Sequence, residues 1–335
     1  MHKIKDILEK RYKGKVTDIR TRMLGSGYLG IGHRISFKVK GKQKTVIMKQ
    51  LIGRHLGKDY PADRAHSFIL DHQSYNRMKG HVRSIDVLGE TRKGYISIGT
   101  AKDFYLLTEE ASGRDFFHDL ERISATGVQL EDRRKVRMLA DFLVDLHKRL
   151  YEPSLYRRKI RDTVGSGESL MSVLDFFPDE LYWTYFRKLD FIVRKSVSHW
   201  AFARRYEHRL CEIHGDFHSG NLWFDGDKLT VLDRSRGMYG EAADDITAFL
   251  SDIIHYSLLK YGRLKNEFRE IFDIFWNTYF KKTKDQEMRE VMQPYMAFRL
   301  VILANPSFRK TPAERQLISL ASNIMRDRRF DPKKL

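Results

Sequence analysis

The first third of the chain alternates apolar and polar positions with the period of β-strands. Ile35, Phe37 and Val39 each have polar neighbours, and a second apolar run at residues 46–48 follows after a glycine-containing turn. A period of two places alternate side chains on one face of a sheet. We therefore predict a small antiparallel β-sheet between residues 16 and 107.

One helix interrupts the predicted sheet, and helical periodicity dominates the rest of the chain. Positions within residues 68–78 recur at helical spacing, and residues 104–107 form one more apolar run, which we predict to be a buried strand. After Gly113 two longer helical stripes follow. Their members are Val136, Leu139, Leu143, Leu146 and Leu150 in the first stripe, and Ile246, Phe249, Ile253 and Tyr256 in the second.

These patterns predict an α+β protein with two lobes. Residues 1–108 would form a β-rich lobe with a small antiparallel sheet and one helix, residues 109–113 a hinge, and residues 114–335 a larger, mainly helical lobe. Ligands commonly bind in the cleft between two domains. We therefore expect a ligand site at this junction.

A glycine-rich turn lies near the start of the predicted sheet. Its sequence, Gly25-Ser26-Gly27-Tyr28-Leu29-Gly30, has the G-x-G-x-x-G spacing shared by dinucleotide-binding folds and kinase loops. A dinucleotide fold would continue into a helix, whereas here a strand follows. Such a hairpin lets backbone N–H groups approach phosphate oxygens, although a flexible hairpin tip is the plain alternative. Lys49, on the next strand, is the candidate for binding the α- and β-phosphates.

The most informative pattern is a loop in the middle of the chain. Residues 213–222 read Ile-His-Gly-Asp-Phe-His-Ser-Gly-Asn-Leu, and Asp233 follows twelve positions after Asn221. This is the spacing of a phosphoryl-transfer loop. Asp216 would accept the proton of an acceptor hydroxyl. Asn221 and Asp233 would supply oxygen ligands to Mg²⁺.

Residues around this loop have supporting or alternative roles. We expect His214 to be a hydrogen-bonded structural residue, and Asp245 either to cap the helix that follows or to hydrogen-bond the loop from beneath. His214, His218 and a carboxylate could also form a zinc set. The asparagine and the more distant aspartate are more typical of magnesium and phosphate.

Composition places the chain among basic globular proteins. It has 335 residues, of which 41% are hydrophobic, enough to bury a large core. Lys and Arg total 62 against 44 Asp and Glu, a formal net charge of +18 that favours an anionic partner. The single cysteine, Cys211, excludes an internal disulfide and favours a reducing compartment. Because no apolar stretch has the length of a membrane span, we expect a cytoplasmic protein.

These motifs together resemble the aminoglycoside phosphotransferase and choline kinase-like family, which has a protein-kinase-like fold. The loop at residues 214–221 is similar to that family's catalytic loop, in which Gly215 replaces the arginine usual in protein kinases. The resemblance implies ATP and Mg²⁺ as cofactors. It also implies adenine hydrogen bonds to the backbone of Glu109 and Ala111 in the hinge, and an acceptor pocket shaped by residues 152–209.

Two positions depart from the pattern of related kinases. Kinases steady the phosphate-binding lysine with a glutamate on the intervening helix, but residues 62–80 contain no glutamate, so Asp71 is the candidate partner of Lys49. The family often places a second acidic residue two positions after the metal-binding aspartate, and here that position is Ser235. The number of Mg²⁺ ions therefore stays open.

We predict an ATP- and Mg²⁺-dependent phosphotransferase that moves the γ-phosphate to a hydroxyl of a small polar metabolite. The basic charge favours a neutral or anionic acceptor over a polycationic aminoglycoside. An RNA-directed kinase, acting for example on tRNA, is the alternative, since residues 156–161 and 202–206 could contact phosphates and stack on bases. A protein kinase and a nucleotide-binding scaffold without turnover are weaker alternatives. The sequence leaves the oligomeric state open.

Overall fold

Two separate hydrophobic cores organise the chain in the computed structural model. One lies in the unit Met1–Thr108 and the other in the unit Glu109–Leu335. The structure describes residues 4–26, 30–52, 57–77, 79, 82–104, 106, 108–234 and 236–335.

The first unit is built on a three-stranded antiparallel sheet in the order β1–β2–β3. Its strands are β1 Val16–Ser26, β2 Gly30–Val39 and β3 Lys42–Leu51. The predicted alternation is confirmed, because Ile35, Phe37 and Val39 are all buried on one face of β2. They form a small core with Val16 of β1 and Leu8.

The first unit contains two described helices, where the sequence pattern predicted one. Helix α1 spans Lys5–Tyr12, and helix α2 spans Pro61–Tyr75. Leu8 is the buried residue of α1. A helix of two turns contributes so few apolar positions that its period is not visible in the sequence. Helix α2 corresponds to the predicted helix, and none of its residues is buried; Met78 of the predicted stripe lies outside the described residues.

The predicted buried strand at residues 104–107 is wrong for the part that the structure describes. Phe104 is 58% exposed and Leu106 is 89% exposed, and neither belongs to a strand. Tyr105 and Leu107 lie outside the described residues. A strand needs a neighbour for its backbone groups, and the preceding strands, β4 Leu88–Thr91 and β5 Gly94–Ser97, pair with each other as a two-stranded sheet.

The second unit is mainly helical, as predicted. Its helices are α3 Phe116–Thr126, α4 Leu130–Leu146, α5 Pro153–Gly165, α6 Leu170–Asp175, α7 Asp179–Phe202, α8 Ala242–Tyr261, α9 Asn266–Thr283, α10 Met288–Ala304 and α11 Glu314–Ile324. Short 3₁₀ helices cover Ala203–Arg209, Ser219–Asn221 and Pro332–Lys334. In the described part of the chain, no helix is both long enough and apolar enough to cross a membrane.

Two small sheets complete the second unit. The first has the order β6–β8–β9, and the second pairs β10 with β7. The strands are β6 Arg114–Asp115, β7 Cys211–Glu212, β8 Leu222–Asp225, β9 Lys228–Val231 and β10 Tyr239–Gly240. Both sheets are antiparallel, and together they fix the two ends of the loop at residues 213–222. Cys211 itself is fully buried in β7.

The core of the second unit is centred on α8. Every residue of this helix from Ala242 to Leu258 is buried, including the four stripe positions predicted from the sequence. In α4 the stripe is confirmed up to Leu143, which is fully buried. The prediction fails at Leu150, which is 41% exposed. It lies beyond the end of α4, because the chain leaves the helix after Leu146.

A buried ion-pair network holds the start of α8. Arg209 is 1% exposed and donates from Nε and Nη2 to the two carboxylate oxygens of Glu241, at 2.9 and 2.7 Å. Its Nη1 donates to Asp285 at 2.7 Å. The hydroxyl of Tyr156 donates to Glu241 at 2.7 Å. Glu241 also caps α8 by accepting from the backbone N–H of Ala243.

We expect Arg209→Met to lower the free energy of unfolding by about 3–5 kcal/mol, because it leaves the buried carboxylate of Glu241 without its cation. Urea denaturation measures this loss. The double variant R209M/E241Q should recover part of it, since the buried charge is then removed. As a matched control, Arg194→Met removes an exposed ion pair with Asp190 and should cost about 1 kcal/mol or less. Equal losses in the two single variants would contradict the role given to burial.

Candidate active site

The loop at residues 213–222 connects β7 to β8. Its backbone turns at Gly215, whose φ of +87° lies in the left-handed region that favours glycine. A Cβ at this position would also lie 3.1 Å from the carbonyl oxygen of Gly237. The backbone conformation and the close carbonyl oxygen therefore both favour glycine at position 215.

Asp245 holds this loop from the first turn of α8. Its Oδ2 accepts from the backbone N–H of His214 at 2.7 Å, and its Oδ1 accepts from the N–H of Gly215 at 2.6 Å. His147 Nε2 lies 3.1 Å from Oδ2. Asp245 is completely buried. Of the two roles considered for this residue, the structure shows the brace, while Glu241 caps the helix.

Further hydrogen bonds within the loop fix its polar side chains. His214 is buried, and burial lowers its pKa below the ordinary value. The neutral ring can therefore accept at Nδ1 from the backbone N–H of Asp216, at 3.2 Å. Asn221 Nδ2 donates to the carbonyl oxygen of Asp216 at 3.0 Å. The N–H of Ser219 donates to buried Asp252 at 2.8 Å.

Asp216 is buried and lies against two arginines of the second unit. Arg299, on α10, donates from Nη1 to Asp216 Oδ1 at 2.5 Å, and Arg236 Nη1 lies 3.4 Å from the same oxygen. Burial alone would raise the pKa of the carboxyl. The charges of Arg299 and Arg236 outweigh it, so the pKa of Asp216 lies below the ordinary value. His218 Nε2 lies 3.8 Å from the other oxygen, Oδ2.

Asp244 joins two of the surrounding cations. Its Oδ1 accepts from Arg299 Nη2 at 2.8 Å, and its Oδ2 lies 3.0 Å from Nζ of Lys159, on α5. Arg299 Nη2 also donates to the carbonyl oxygen of Gly215 at 2.9 Å. Burial would raise the pKa of Asp244, but Lys159 and Arg299 lower it to about 2. This carboxylate therefore stays ionised and links α5, α8 and α10 beneath the loop.

The two candidate Mg²⁺ ligands flank one end of the hairpin formed by β8 and β9. Asn221 precedes β8 and Asp233 follows β9, and the first pair of the hairpin joins Leu222 to Val231. The N–H of Leu232 donates to the carbonyl oxygen of Asn221 at 2.9 Å. Asp233 is exposed and has a φ of +54°. The hairpin therefore holds the two ligand residues at the same end.

The donor set at these two positions fits magnesium. The amide nitrogen of Asn221 is used by the loop, so its side-chain oxygen is the atom left to bind a cation. Asp233 adds a charged oxygen, and Mg²⁺ prefers one or two carboxylates together with phosphate and water oxygens. Ser235 lies outside the described residues. In the part of the chain that the structure describes, no cluster of three or more His, Cys, Asp and Glu side chains could hold a metal.

The predicted nucleotide-binding residues of the first unit lie on the sheet and on α2. Gly25 and Ser26 end β1, and Gly30 begins β2; Gly27 lies outside the described residues. The two antiparallel strands predicted on either side of the glycine-rich sequence are therefore present. A Cβ at Gly30 would lie 2.6 Å from the carbonyl oxygen of Gln50 on β3, so glycine is required there.

Lys49 and Asp71 both lie in described elements of the first unit. Lys49 lies on β3 opposite Gly32 and is exposed. Asp71 lies on α2 and is half-buried. No ion pair between these two side chains occurs in the described residues, and their pairing stays a prediction.

The predicted hinge begins the second unit. Glu109 is exposed and Ala111 is half-buried, and adenine binding by their backbone stays a prediction. The segment is followed by Gly113, with a φ of +94°. A Cβ there would lie 2.0 Å from the carbonyl oxygen of Phe224. Only glycine lets the chain pass this close to β8.

Sequence reasoning missed the cations around Asp216. Arg299 lies 83 positions after Asp216, and Lys159 lies 57 positions before it. Residues so far apart in the sequence form no recognisable spacing pattern. The chain contains 62 lysines and arginines in all, so composition does not single these out. The one available signal was Asp244, beside the predicted brace, because a buried carboxylate in the first turn of a helix needs a cation or donors.

The basic stretches predicted as RNA contacts differ in exposure. In residues 156–161, Tyr156 is fully buried and Lys159 is 7% exposed in its ion pair. That prediction is wrong for these two side chains, because groups inside the core cannot stack on bases or reach phosphates. In residues 202–206, Phe202 is 53% exposed. RNA binding by this second stretch stays a prediction.

Comparison with protein-family models gives a match over the part of the chain that contains this site. Residues 94–258 match the model of the phosphotransferase enzyme family, APH. The matched stretch is just under half of the chain and contains the whole loop, Asp233 and Asp245. This match confirms the resemblance to the phosphotransferase enzyme family that was predicted from the sequence.

The individual proteins similar to this chain share a low sequence identity with it or match only a short stretch of it. Over 83 residues, the chain is 28% identical to a methylthioribose kinase of Exiguobacterium sibiricum. This stretch is 25% of the present chain and 21% of the relative, so the chain matches about a fifth of that protein's length. Among solved structures, a glucosamine kinase has 13% identity and a TM-score of 0.40, with 63% of this chain and 57% of that chain covered. The amicoumacin kinase hAmiN has 13% identity and a TM-score of 0.42, with 98% and 95% covered.

We expect acid to remove the stabilisation that Asp244 contributes. The pKa of this carboxyl is lowered from 3.8 to about 2, so its contribution is present above pH 4 and is lost as the pH falls towards 2. The shift corresponds to a free energy on the order of 2 kcal/mol. Urea denaturation of wild type and Asp244→Asn at a series of pH values should show the largest difference at pH 6 and a smaller one at pH 3. A difference that does not change over this range would contradict the assignment.

Proposed function

We propose that the protein is an ATP- and Mg²⁺-dependent phosphotransferase. It transfers the γ-phosphate to a hydroxyl of a small polar metabolite that is neutral or anionic rather than polycationic. The observation that carries this proposal is the loop itself. A buried, ionised Asp216 is held by fixed backbone hydrogen bonds, while Asn221 and Asp233 flank the same end of one hairpin.

Asp216 would act on the acceptor. Its carboxylate accepts a hydrogen bond from the acceptor hydroxyl and orients that oxygen towards the γ-phosphorus. As the new oxygen–phosphorus bond forms, the bond to the β-phosphate oxygen breaks, ADP leaves, and the hydroxyl proton passes to Asp216. Because Arg299 and Arg236 lower its pKa, Asp216 is a weak base. Its main contribution is orientation, with proton transfer late in the step.

Other residues would hold the nucleotide. Asn221 and Asp233 would ligate Mg²⁺, which when bound offsets the charge of the phosphate oxygens. The backbone of the turn that contains Gly25, Ser26 and Gly30 would approach the phosphates, and Lys49 would bind the α- and β-phosphates. The backbone of Glu109 and Ala111 would bind adenine, and Asp71 remains the proposed partner of Lys49.

The names of the similar proteins support a small acceptor. They phosphorylate, by their names, methylthioribose, glucosamine and amicoumacin. The identities and covered fractions are too low to transfer any of these substrates. A screen with labelled ATP against sugars, sugar phosphates, amino alcohols, aminoglycosides and tRNA tests the proposal. Transfer of label to one small hydroxyl compound is expected, and label found only in tRNA or only in aminoglycosides would contradict it.

We expect Asp216→Asn to reduce kcat by about 10²- to 10⁴-fold, because the amide cannot take the proton and orients the hydroxyl differently. Initial-rate measurements with the acceptor found in the screen give this value. The matched control is Asp225→Asn, at the exposed end of β8, which should keep wild-type kcat. Thermal unfolding of both variants verifies that they fold. A folded D216N enzyme with wild-type kcat would contradict the mechanism.

We expect Asp233→Asn to raise the Mg²⁺ concentration required for half-maximal activity by about tenfold or more, since it removes the charged ligand of the pair. Titrating Mg²⁺ at fixed ATP measures this change. Activity in the variant should be partly restored by high Mg²⁺. An unchanged Mg²⁺ requirement would remove Asp233 from the metal site.

A further inference from the structure

Arg236 has an unused donor beside Asp216. Its Nη1 lies 3.4 Å from Asp216 Oδ1, and this buried nitrogen forms no hydrogen bond with any described residue. A buried donor without a partner is costly, and in native proteins such groups commonly mark a site that something else completes. On its other edge, Arg236 Nε donates to Glu168 at 2.7 Å, but the side chain of Glu168 is 64% exposed.

The position of the Arg236 guanidinium is fixed from behind. Lys159 Nζ donates to the backbone carbonyl of Arg236 at 3.0 Å. The guanidinium carbon lies 5.6 Å from the centre of the Phe298 ring, within the range of a cation–π contact. The side chain is 18% exposed. A guanidinium held in this way is preorganised for a ligand that approaches Asp216.

Arg236 belongs to a group of ion pairs around Asp216 and Asp244. In these pairs three cations, Arg236, Arg299 and Lys159, contact the two buried carboxylates. Asp244 pairs with both Lys159 and Arg299, and Asp216 pairs most closely with Arg299. The closest anion of Arg236 is the solvent-exposed Glu168. A largely buried guanidinium favours an anionic ligand when one of its N–H donors is unused and its closest carboxylate is exposed to solvent.

The anion could belong to the acceptor or to the nucleotide, and the residues around Arg236 favour one of these two sources. Glu168 lies in the turn between α5 and α6, and Lys159 lies on α5, within the region 152–209 that we expect to shape the acceptor pocket. The proposed metal ligands, which would deliver the γ-phosphate, lie instead at the end of the β8–β9 hairpin. The contacts of Arg236 with this region favour the acceptor as the source of the anion.

Resting on the proposed function, we infer that the acceptor carries an oxyanion group, a phosphate ester or a carboxylate, and that Arg236 binds it through Nη1. Nη1 and Nε lie on different edges of the guanidinium, so the group binds at Nη1 while Glu168 keeps Nε, and the negative charge of Glu168 opposes the bound anion. The acceptor hydroxyl then lies against Asp216, which Arg236 already adjoins. Arg236 selects acceptors that are anionic and have a hydroxyl within a few bonds of the anionic group.

Binding of simple anions tests this directly. Wild-type protein saturated with AMP-PNP and Mg²⁺ is titrated with inorganic phosphate and with acetate, and the rise in Tm is measured. We expect a saturable rise, and an apparent phosphate Kd weaker by about tenfold or more in Arg236→Gln. Glu168→Gln should bind phosphate more tightly, since the opposing negative charge is gone. The matched control Arg329→Gln, which removes an exposed arginine paired with Glu290, should respond as wild type does.

Three outcomes would overturn the inference. The first is no response of the wild type to either anion. The second is an equal response in R236Q. The third is a response that disappears once AMP-PNP is bound, which would assign Arg236 to the phosphates of the nucleotide. Comparing phosphate with acetate distinguishes a phosphate ester from a carboxylate.

Turnover with matched acceptors separates this inference from the proposed function. The panel contains glycerol, glycerate and glycerol 3-phosphate, and ribose with ribose 5-phosphate. We expect the anionic members to be preferred, and R236Q to raise their KM about tenfold or more with a smaller change in kcat. Preference for the uncharged members would overturn the anionic acceptor but leave the kinase proposal intact. Failure to bind AMP-PNP with Mg²⁺ would instead remove the kinase proposal, while the anion response of Arg236 could still be measured without nucleotide.

Discussion

The rest of the site depends on two hydrogen bonds, which the consecutive backbone N–H groups of His214 and Gly215 donate to the carboxylate of Asp245. These bonds attach the sharp turn at Gly215 to the first turn of α8, a helix that is buried over most of its length. A carboxylate that accepts two N–H groups in a buried place has little freedom to move. The orientation of Asp216 and the start of the β8–β9 hairpin both follow from this anchor.

Arg299 gives the same loop a second attachment. It joins the carboxylates of Asp216 and Asp244 and the carbonyl of Gly215, so α10 and α8 hold one short piece of backbone from two sides. The consequence for the chemistry is a carboxylate, Asp216, that stays ionised well below neutral pH. The consequence for the fold is that charges which would be costly in isolation are compensated within one closed group.

The parts of the structure that could be predicted depend on residues that lie close together in the sequence. The alternation around Phe37 and the stripe of α8 have periods that depend on a single element, and the loop residues Asp216 and Asn221 are five positions apart. The unpredicted parts depend on contacts between distant segments. Arg299 enters the site from α10, and the exposed residues at 104 and 106 have the composition of a strand without a neighbouring strand to pair with. Apolar character predicts burial only where the tertiary structure provides a surface to bury against.

The position of Lys159 has a consequence for how the specificity of this protein could be altered. It lies on α5, in the segment expected to set acceptor choice, yet it supports Arg236 and neutralises Asp244 beneath the loop. The residues proposed for acceptor recognition and those proposed for catalysis therefore depend on the same lysine. Exchanging residues 152–209 for those of a relative would replace the expected acceptor pocket. It would also remove Lys159, the cation that pairs with Asp244 beneath the loop. A chimera of that kind would need a lysine restored at position 159 before its new specificity could be judged.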